Sequence, residues 1–348
     1  MESLIFLQAR PTQVDAPLFR ALHGLHVPFS VFFRSTETPL DTELGTIPNF
    51  GTGTEGYEFF TTKFPIPRDS HLIVGGWNEL WTWGALLRAR GRRVNSLGIR
   101  FDSVLPSDGS DNRSVASRLR SRRALRLVDV WHPTGPLSEQ FARSVSGVNR
   151  PSVPIPYQVG EDFLVGGHAD RSNVDGQATR ALAVSKLNAR EGVLSLVQAM
   201  AEVSGIHLTI VGDGPDRPAL ERLASTLNTN VEFVGYIPYG DLIRFYDEAD
   251  IYVHPAIEEP WGVSVQEAMA RGLPVIASDR VGAATSLIGR SHLEWRFEAG
   301  DVAGLRDRLL AFRDPHLRAK HASSNLNSAL RHSPEATARS LASFLQNS

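Results

Sequence analysis

The sequence predicts two doubly wound α/β domains, in each of which a parallel sheet is covered by helices on both faces. Three observations carry this prediction. The 348 residues are enough for two domains at roughly 100–200 residues per domain. Strand-like and helix-like segments alternate along both halves of the chain, which is typical of parallel sheets. A proline-rich connector at 149–160 separates the halves, so we predict an N-terminal domain over 1–157 and a C-terminal domain over 158–332.

The first half opens with a strand, LIFLQ, and continues with a helix, APLFRALHGL, which Asp15 is placed to cap. A second strand, FSVFF, follows, and residues 35–70 are less regular. The alternation then resumes with HLIVGG (strand), ELWTWGALLRARG (helix), VNSLGI (strand), SVASRLRSRRAL (helix), LVDVW (strand) and PLSEQFARSV (helix).

The second half repeats the alternation more clearly. Its predicted strand–helix pairs are RALAVS with GVLSLVQAMAEV, HLTIVG with RPALERLASTL, VEFVG with DLIRFYDEA, and IYVHP with a helix inside PWGVSVQEAMA, followed by the strand PVIAS and the helix GDVAGLRDRLLAF. A last helix begins at Ser333 and Pro334, a favourable pair for a cap and a first turn. We expect residues 333–348 to pack back toward the N-terminal domain.

Ligands of doubly wound sheets bind beyond the carboxyl ends of the strands, so we expect the functional site in the cleft between the two domains. The informative loops are those that directly follow strands, namely SKLNAREG, GDGP, GYIPYG and PAIEEPWGVS.

Composition excludes some classes of site and leaves others open. Cysteine is absent, which excludes disulfides and thiolate metal sites. No uninterrupted apolar stretch approaches the ~20 residues of a membrane-spanning helix, and the short apolar start predicts a first strand rather than a secretory signal. Residues 88–126 hold eleven arginines against three aspartates, and eleven minus three gives a local charge of +8 in a chain of net charge −2. This asymmetry indicates an anionic partner or, equally, a solvated helix face.

Two carboxylates flank a predicted strand-to-helix turn in the segment EEPWGVSVQEAMARG. A helix that begins near Val263 or Ser264 would direct free backbone N–H groups at a phosphate, and Gly262 would let a ligand approach the backbone. Glu267 can accept two hydroxyl hydrogen bonds from a ribose diol, and Glu259 can hold a second polyol. The alternative is an ordinary loop acid followed by an acid that favours the first turn of a helix.

The remaining loops narrow the chemistry. Lys186 and Arg190 can both stabilise phosphate charge, although loop cations are more often simply solvated. The turn VGDGPDRP is not the G-x-G-x-x-G dinucleotide fingerprint, which argues against an oxidoreductase. No two aspartates are separated by a single residue, so the metal-bridging Asp-x-Asp arrangement is missing and we expect no metal. His23 and His26, a helical i,i+3 pair, are expected to pack rather than to bind a metal.

The C-terminal half resembles the family 4 retaining glycosyltransferases, which have the GT-B fold. The matching pieces run in family order between residues 183 and 301 and are AVSKLNAREG, LTIVGDGP, VEFVGYIPYGDLIRFYDEADIYVHPA, EEPWGVSVQEAMARGLPVIASDRVG and EAGD. The Glu-x7-Glu element formed by Glu259 and Glu267 is specific in that context. The N-terminal resemblance is weaker and rests on APLFRAL and IVGGWN.

The resemblance implies two Rossmann-like domains that face each other across a cleft, and a UDP-, GDP- or dTDP-sugar as donor substrate. Glu259 would then contact hydroxyls of the transferred sugar, Glu267 the ribose, the backbone of Val263 and Ser264 the diphosphate, and the loop 236–238 the base. With Lys186 and Arg190, Glu259 forms the implied catalytic set. The implied donor-binding residues are Gly212, Asp213, Tyr236, Ile237, Pro238, Trp261, Gly262, Val263, Ser264 and Glu267.

The chain departs from the family pattern in both halves. Lys186 stands where the family has a phosphate-binding arginine, but the family's next cation, a lysine before a glycine, is here Glu191, so Arg190 would have to substitute. In the N-terminal half a family histidine is replaced by the sequence RFDS. The acceptor side is accordingly assigned to Trp77, Asn78, Arg100 and Asp102.

The implied activity is metal-independent transfer, with retention, to a hydroxyl of a glycan, glycolipid or small natural product. The protein would orient the substrates and stabilise the departing diphosphate. Alternatives are a nucleotide-sugar epimerase and a non-catalytic sugar-nucleotide-binding protein. We expect a cytoplasmic protein, in peripheral contact with an anionic membrane through the segment Arg113–Arg126, and no nucleic-acid partner.

Overall fold

The chain forms two compact units in a computed structural model. The first comprises residues 1–160 and 332–348, and the second comprises 161–331, so the division falls three residues beyond the predicted one. The structure describes residues 3–9, 12, 14–34, 57–59, 69–92, 94–105, 111, 113–164, 178–288 and 293–347.

The first unit contains a parallel sheet of six strands in the order β3-β2-β1-β4-β5-β6. The strands are β1 (Ser3–Gln8), β2 (Phe29–Phe33), β3 (Tyr57–Phe59), β4 (Ser70–Gly75), β5 (Ser96–Phe101) and β6 (Val130–Pro133). The helices between them are α1 (Ala16–Gly24), α2 (Leu80–Arg92), α3 (Val115–Leu127) and α4 (Pro136–Ser146). The chain adds strands on one side of β1 and then returns to add strands on the other, so the order reverses between β1 and β4.

The second unit repeats this topology, with the strand order β12-β11-β10-β7-β8-β9. Its strands are β7 (Thr179–Val184), β8 (Ile206–Val211), β9 (Val231–Gly235), β10 (Ile251–His254), β11 (Val275–Ser278) and β12 (Arg296–Phe297). Its helices are α5 (Glu161–Leu164), α6 (Val193–Met200), α7 (Arg217–Thr226), α8 (Leu242–Glu248), α9 (Val263–Ala270), α10 (Gly282–Leu287), α11 (Val302–Ala311) and α12 (Pro315–Arg331). The order reverses between β7 and β10.

Strand composition follows from burial on both faces. All six residues of β5 are buried, as are all four of β10 and of β11. Strands β10 and β11 are apolar runs that each end in one polar residue, as expected for burial on both faces, whereas β5 includes the buried Arg100. Every strand pair within each sheet is parallel, as the alternation of strands and helices predicts.

The last helix, α13 (Pro334–Gln346), belongs to the first unit. Ser333 caps it by accepting a hydrogen bond from the Ala336 N–H at 3.4 Å. Its Ala338 and Leu341 are fully buried in a core shared with Phe6 and Phe19. The helix therefore helps to complete the hydrophobic core around β1 and α1.

Several elements were not predicted from the sequence, and α12 is the longest of them at 17 residues. Its buried positions include Arg318, His321, Asn325 and Ser328, which recur at helical spacing but are polar. Hydrogen bonds offset part of the cost of burying them, as when the Asn325 amide donates to the Leu273 carbonyl at 3.0 Å and the Ser328 hydroxyl donates to the Leu287 carbonyl at 2.5 Å. The short elements β3, β12 and α10 were also not predicted.

Candidate functional site

The carboxyl ends of β7 and β10 meet at the point where the strand order of the second unit reverses. At such a point the connecting loops turn to opposite faces of the sheet and leave a crevice for a ligand. The loop 185–192 follows β7, and the loop 255–262 follows β10. Gly212 and Asp213 follow β8, and residues 236–238 follow β9, so all the predicted donor residues of this unit lie beyond carboxyl strand ends, apart from those in α9.

Backbone contacts hold the two central loops together. The Ile257 N–H donates to the Arg190 carbonyl at 2.8 Å. Gly192 has φ +67°, and a β-carbon there would overlap the carbonyl oxygen of Pro255. Only glycine fits this position without displacing a loop, because a side chain would meet both backbone strain and a collision. Glu191 is thereby brought against the end of β10.

The predicted helix start is confirmed, because α9 begins at Val263. Its cap, Gly262, has φ +91°, and a β-carbon there would lie 3.1 Å from Val281 Cγ1 and 3.2 Å from Glu259 Cγ. The first N–H groups of a helix have no partner within it and carry the positive end of its dipole. Val263 and Ser264 therefore present backbone donors at the loop that follows β10.

Hydrogen bonds hold both the backbone N–H and the backbone carbonyl of Glu259. Its N–H donates to the Arg280 carbonyl at 3.2 Å, and its carbonyl accepts the Gly282 N–H at 3.0 Å. Its side chain is a quarter exposed, and Oε1 accepts the Trp261 N–H at 3.2 Å. The other oxygen, Oε2, lies 4.0 Å from His254 Nε2.

Glu267 lies in α9 and is only 3% exposed. Its carboxylate accepts a hydrogen bond from the Tyr246 hydroxyl at 2.7 Å. Burial raises the pKa of Glu267 to about 7, although hydrogen bonds from Tyr246 and Tyr239 oppose the shift. The carboxylate assigned to a ribose diol thus already binds the hydroxyls of two tyrosines.

The two predicted phosphate-binding cations are both exposed. Lys186 lies in the loop after β7. Arg190 forms an ion pair with Glu258, at 3.3 Å, and its side chain is 64% exposed. Such an exposed pair contributes little to stability and is easily exchanged for another anion.

Two residues that the sequence analysis did not assign to the site, Glu191 and His254, meet Glu259. One potential metal-ligand atom from each of the three lies within 4.8 Å of the other two. His254 is 3% exposed, and burial lowers its pKa to about 4, so its imidazole is neutral at neutral pH. The sequence offered one signal, namely the acidic Glu191 where the family that the sequence resembles has a lysine.

The remaining predicted donor residues differ in exposure. Asp213 accepts the Gly214 N–H at 2.7 Å and pairs with Arg217 at 2.9 Å, and these contacts lower its pKa. Tyr236 is 47% exposed, which leaves its ring accessible beside half-buried Ile237 and exposed Pro238. Trp261 is 1% exposed and donates from Nε1 to Gln266 at 3.0 Å, so its indole is a core group rather than a ligand-facing one.

The first unit has its own pocket at the carboxyl edge, where its strand order reverses. The pocket has a volume of about 260 Å³. All four residues assigned to the acceptor side line it, namely Trp77, Asn78, Arg100 and Asp102. Buried Arg100 pairs with Asp15 and donates to the Ile155 carbonyl at 3.2 Å. Asp102 accepts the Tyr157 hydroxyl at 2.8 Å, so the pocket presents oriented polar groups.

The predicted basic segment is divided between structural and exposed arginines. Arg113 binds Asp111 at 2.7 Å and lies 4.7 Å from the centre of the Phe141 ring, so it is held in place. We define the basic surface as the exposed arginines Arg118, Arg120, Arg122, Arg123 and Arg126 of α3. Exposed leucines accompany it, with Leu87 63% and Leu119 46% accessible. Among the described helices, none is both long and apolar enough to span a lipid bilayer.

Comparison with solved structures identifies the class of fold. Anabaena HepE, solved in complex with UDP, matches with a TM-score of 0.75 over 100% of both chains at 16% identity. Sucrose-phosphate synthase from Thermosynechococcus elongatus matches with a TM-score of 0.74 over 100% of this chain and 99% of that one at 20% identity. At such identities the likeness shows the fold alone. The fold is that of the GT-B glycosyltransferases, with two parallel-sheet α/β domains, as predicted.

Sequence comparison identifies the domain. Residues 168–322 match the family described as "Glycosyl transferases group 1", and this stretch is a domain of that kind. The GDP-mannose-dependent alpha-mannosyltransferase of Mycolicibacterium smegmatis is 37% identical over 213 residues, which are 60% of this chain and 48% of that protein. A GDP-mannose-dependent monoacylated alpha-(1-6)-phosphatidylinositol monomannoside mannosyltransferase of Corynebacterium glutamicum is 34% identical over 145 residues, 38% of each chain. The chain spans less than half the length of these curated relatives.

Proposed function

We propose that this protein is a retaining glycosyltransferase of family 4 that moves a sugar from a nucleoside-diphosphate sugar to an acceptor hydroxyl. One observation carries the proposal. In the group 1 domain, Glu259, the free N–H groups at the start of α9, and Glu267 follow one another at the point where the strand order reverses. Two hydroxyl-binding acids on either side of an anion site suit a sugar, a diphosphate and a ribose.

Each group has a distinct role in this scheme. Glu259 holds hydroxyls of the transferred sugar, Val263 and Ser264 bind the diphosphate through their N–H groups, and Glu267 binds the ribose. The loop 236–238 packs against the base. Lys186, with Arg190 once it leaves Glu258, stabilises charge that develops on the leaving diphosphate.

The reaction keeps the anomeric configuration. The acceptor oxygen attacks the anomeric carbon on the face from which the diphosphate departs, and a diphosphate oxygen takes the acceptor's proton. The bond between the anomeric carbon and the diphosphate breaks as the new glycosidic bond forms. The protein contributes orientation and electrostatic stabilisation rather than a nucleophile.

The relatives guide the choice of donor. Two of them are named for GDP-mannose, and HepE was solved with UDP. We therefore take GDP-mannose as the first donor to test and UDP-glucose as the second. The pocket of the first unit is proposed to hold the acceptor hydroxyl, and the basic surface to meet an anionic membrane when the acceptor is a lipid.

The source of positive charge at the diphosphate is the point on which this chain differs from its family. From the sequence this charge is expected on Lys186 and Arg190, without a metal. Arg190 pairs with Glu258 in the structure. By the sequence resemblance, Glu191 stands where the family has a lysine. The geometry thus favours a further source of charge.

Donor hydrolysis and transfer test the proposal. GDP-mannose and UDP-glucose would be offered with and without a panel of lipid and sugar acceptors, and the product's anomeric configuration would be read by NMR. We expect an α-linked product from an α-linked donor. Failure to bind or cleave any nucleotide sugar would overturn the proposal, inversion would overturn retention, and a new sugar nucleotide formed without acceptor would identify an epimerase.

A further inference from the structure

We propose that Glu191, His254 and Glu259 form a binding site for a divalent cation. The role we give the ion, which is to neutralise the donor diphosphate, rests on the proposed function. The binding of the ion does not depend on the proposed function, and it can be measured without turnover.

The three side chains come from the two loops at the centre of the second sheet. Glu191 ends the short turn after β7, His254 is the last residue of β10, and Glu259 lies in the loop that follows. Their nearest ligand atoms all lie within 4.8 Å of one another. Ligands bind a small divalent ion at about 2.1 Å, so two at a right angle lie about 3 Å apart and two on opposite sides about 4.2 Å apart. Side-chain movements of about 1 Å would bring the three ligand atoms to such spacings.

His254 supplies the observation that points to a ligand. Its Nδ1 lies 3.3 Å from the Tyr252 hydroxyl oxygen, which is 3.2 Å from the Val184 carbonyl oxygen. One arrangement satisfies both contacts: the carbonyl can only accept, so the hydroxyl donates its one proton to Val184 and accepts from the Nδ1–H of His254. In that tautomer the neutral ring carries its lone pair on Nε2.

That lone pair is buried and unused. Among the described residues, His254 Nε2 has no hydrogen-bond partner, and the nearby Glu259 Oε2 at 4.0 Å is another electron-rich atom. A β-carbon at Gly262 would stand 3.6 Å from Nε2, so the glycine keeps this space open. A buried acceptor that faces carboxylates is unfavourable by itself and becomes favourable around a cation.

Charge supports the same conclusion. Glu191 and Glu259 bring two negative charges to the place where a diphosphate is proposed to bind, and the family's lysine is missing from position 191. A divalent ion would offset the two carboxylates and attract the diphosphate in the lysine's place.

The surroundings orient all three ligands, as the outer contacts of metal sites do. The Ser185 hydroxyl donates to Glu191 Oε2 at 3.0 Å, Tyr252 contacts His254, and the Trp261 N–H donates to Glu259 Oε1. Three protein ligands leave coordination positions for diphosphate oxygens. One imidazole with two carboxylates suits Mn²⁺, which we choose as the probe.

Electron paramagnetic resonance of free Mn²⁺ in a titration of the full chain tests the site. We expect one Mn²⁺ per chain, bound more tightly when GDP is present. Glu191→Gln and His254→Gln should each weaken Mn²⁺ binding at least tenfold. Glu258→Gln, a neighbour in the same loop but outside the cluster, should bind Mn²⁺ as the wild type does. If His254→Gln fails to fold, Glu191→Gln still tests the site, because Glu191 is only half-buried.

Glu191→Lys provides a second test, because it places the family's cation where the ion is proposed to act. This variant should bind no Mn²⁺, and its affinity for GDP should no longer change on adding EDTA. No Mn²⁺ binding by the wild type, or binding by Glu191→Gln and His254→Gln as tight as that of the wild type, would overturn the site. Mn²⁺ binding without any nucleotide-sugar turnover would uphold the site and reject the proposed function. Turnover at full rate in EDTA, without Mn²⁺ binding, would uphold the proposed function and reject the site.

Discussion

Tyr246 donates a hydrogen bond of 2.7 Å to Glu267, and both side chains are buried. A carboxylate has about four acceptor positions, so the bonds from Tyr246 and Tyr239 leave about two for a ribose diol. Tyr246 also holds the carboxylate in one orientation, which lowers the entropy lost when a ligand binds. Burial of the carboxylate disfavours its charged form, and this raises the pKa of Glu267.

The raised pKa of Glu267 predicts that this group makes the fold less stable as pH rises. The folded protein holds its proton up to about pH 7, whereas an unfolded glutamate loses it near its ordinary value of 4.5. Between these values the folded state binds more protons, so its free energy of unfolding falls with pH. The difference amounts to about 3 kcal/mol at pH 8. Glu267→Gln should remove this fall.

Urea unfolding from pH 5 to pH 8 measures the effect as the difference between wild type and Glu267→Gln. The comparison matters because buried His254, with its lowered pKa, acts in the opposite direction: its contribution is present above the ordinary histidine value and is lost as pH falls through the folded pKa of about 4. That contribution is common to both proteins and cancels. Parallel profiles for the two proteins would contradict the assigned pKa of Glu267.

Substitution of the two glutamates separates their proposed roles. A hydrogen bond to a charged group contributes about 1.5–3 kcal/mol, which is roughly ten- to a hundredfold in affinity. Measured by calorimetry in EDTA, so that no ion contributes, Glu267→Gln should weaken GDP by that factor. Glu259→Gln should leave GDP affinity within about twofold but lower kcat/KM for transfer at least tenfold, because the sugar is held less well as its bond breaks. Equal loss of GDP affinity in the two variants would contradict these roles.

Sequence pattern predicted the sheets of this fold because their central strands are buried on both faces. Strands such as β10 and β11 are apolar runs that end in one polar residue, and helices such as α1 bury an apolar face. The same criterion missed α12, whose buried positions Arg318, His321 and Asn325 look like a solvated surface. Only the fold shows that Arg318 donates to the Phe312 carbonyl at 2.7 Å and the Asn325 amide to the Leu273 carbonyl at 3.0 Å.

The residues of the candidate site that are close in sequence could be predicted, but the residues that strand order brings together could not. Glu259, Gly262 and Val263 are close in sequence, and their turn could be predicted from local signals. Glu191 and His254 are far apart in sequence, and they meet because β7 lies beside β10, an order that alternation does not specify. Trp261 was assigned to a ligand because of its neighbours, yet its indole packs into the core.

Gly192→Ala tests the close backbone contact between the two central loops, 185–192 and 255–262. The positive φ of Gly192 costs an alanine about 1 kcal/mol, and the new methyl group would collide with the Pro255 carbonyl. We expect a loss of about 2 kcal/mol or more in the free energy of unfolding, together with weaker GDP binding. Gly240→Ala is the matched control, because a β-carbon at Gly240 meets nothing within 4 Å. Similar urea midpoints for the two variants would contradict the close contact.

The basic surface predicts salt-sensitive binding to anionic vesicles. Each arginine near an anionic surface contributes about 1 kcal/mol, so replacing Arg122, Arg123 and Arg126 with glutamine should weaken binding about a hundredfold. Salt should weaken the wild type as well, because charges are screened beyond about 8 Å at physiological ionic strength. Replacing Leu87 and Leu119 with serine should lower the affinity but preserve its salt dependence, since it removes apolar contact only. Flotation with vesicles of phosphatidylcholine, with and without phosphatidylglycerol, measures all of these affinities.

The control is Arg222→Gln, which changes an exposed arginine on α7 in the other unit and should bind vesicles as the wild type does. Equal binding to neutral and anionic vesicles, or none to anionic vesicles at low salt, would leave the arginines as a solvated helix face.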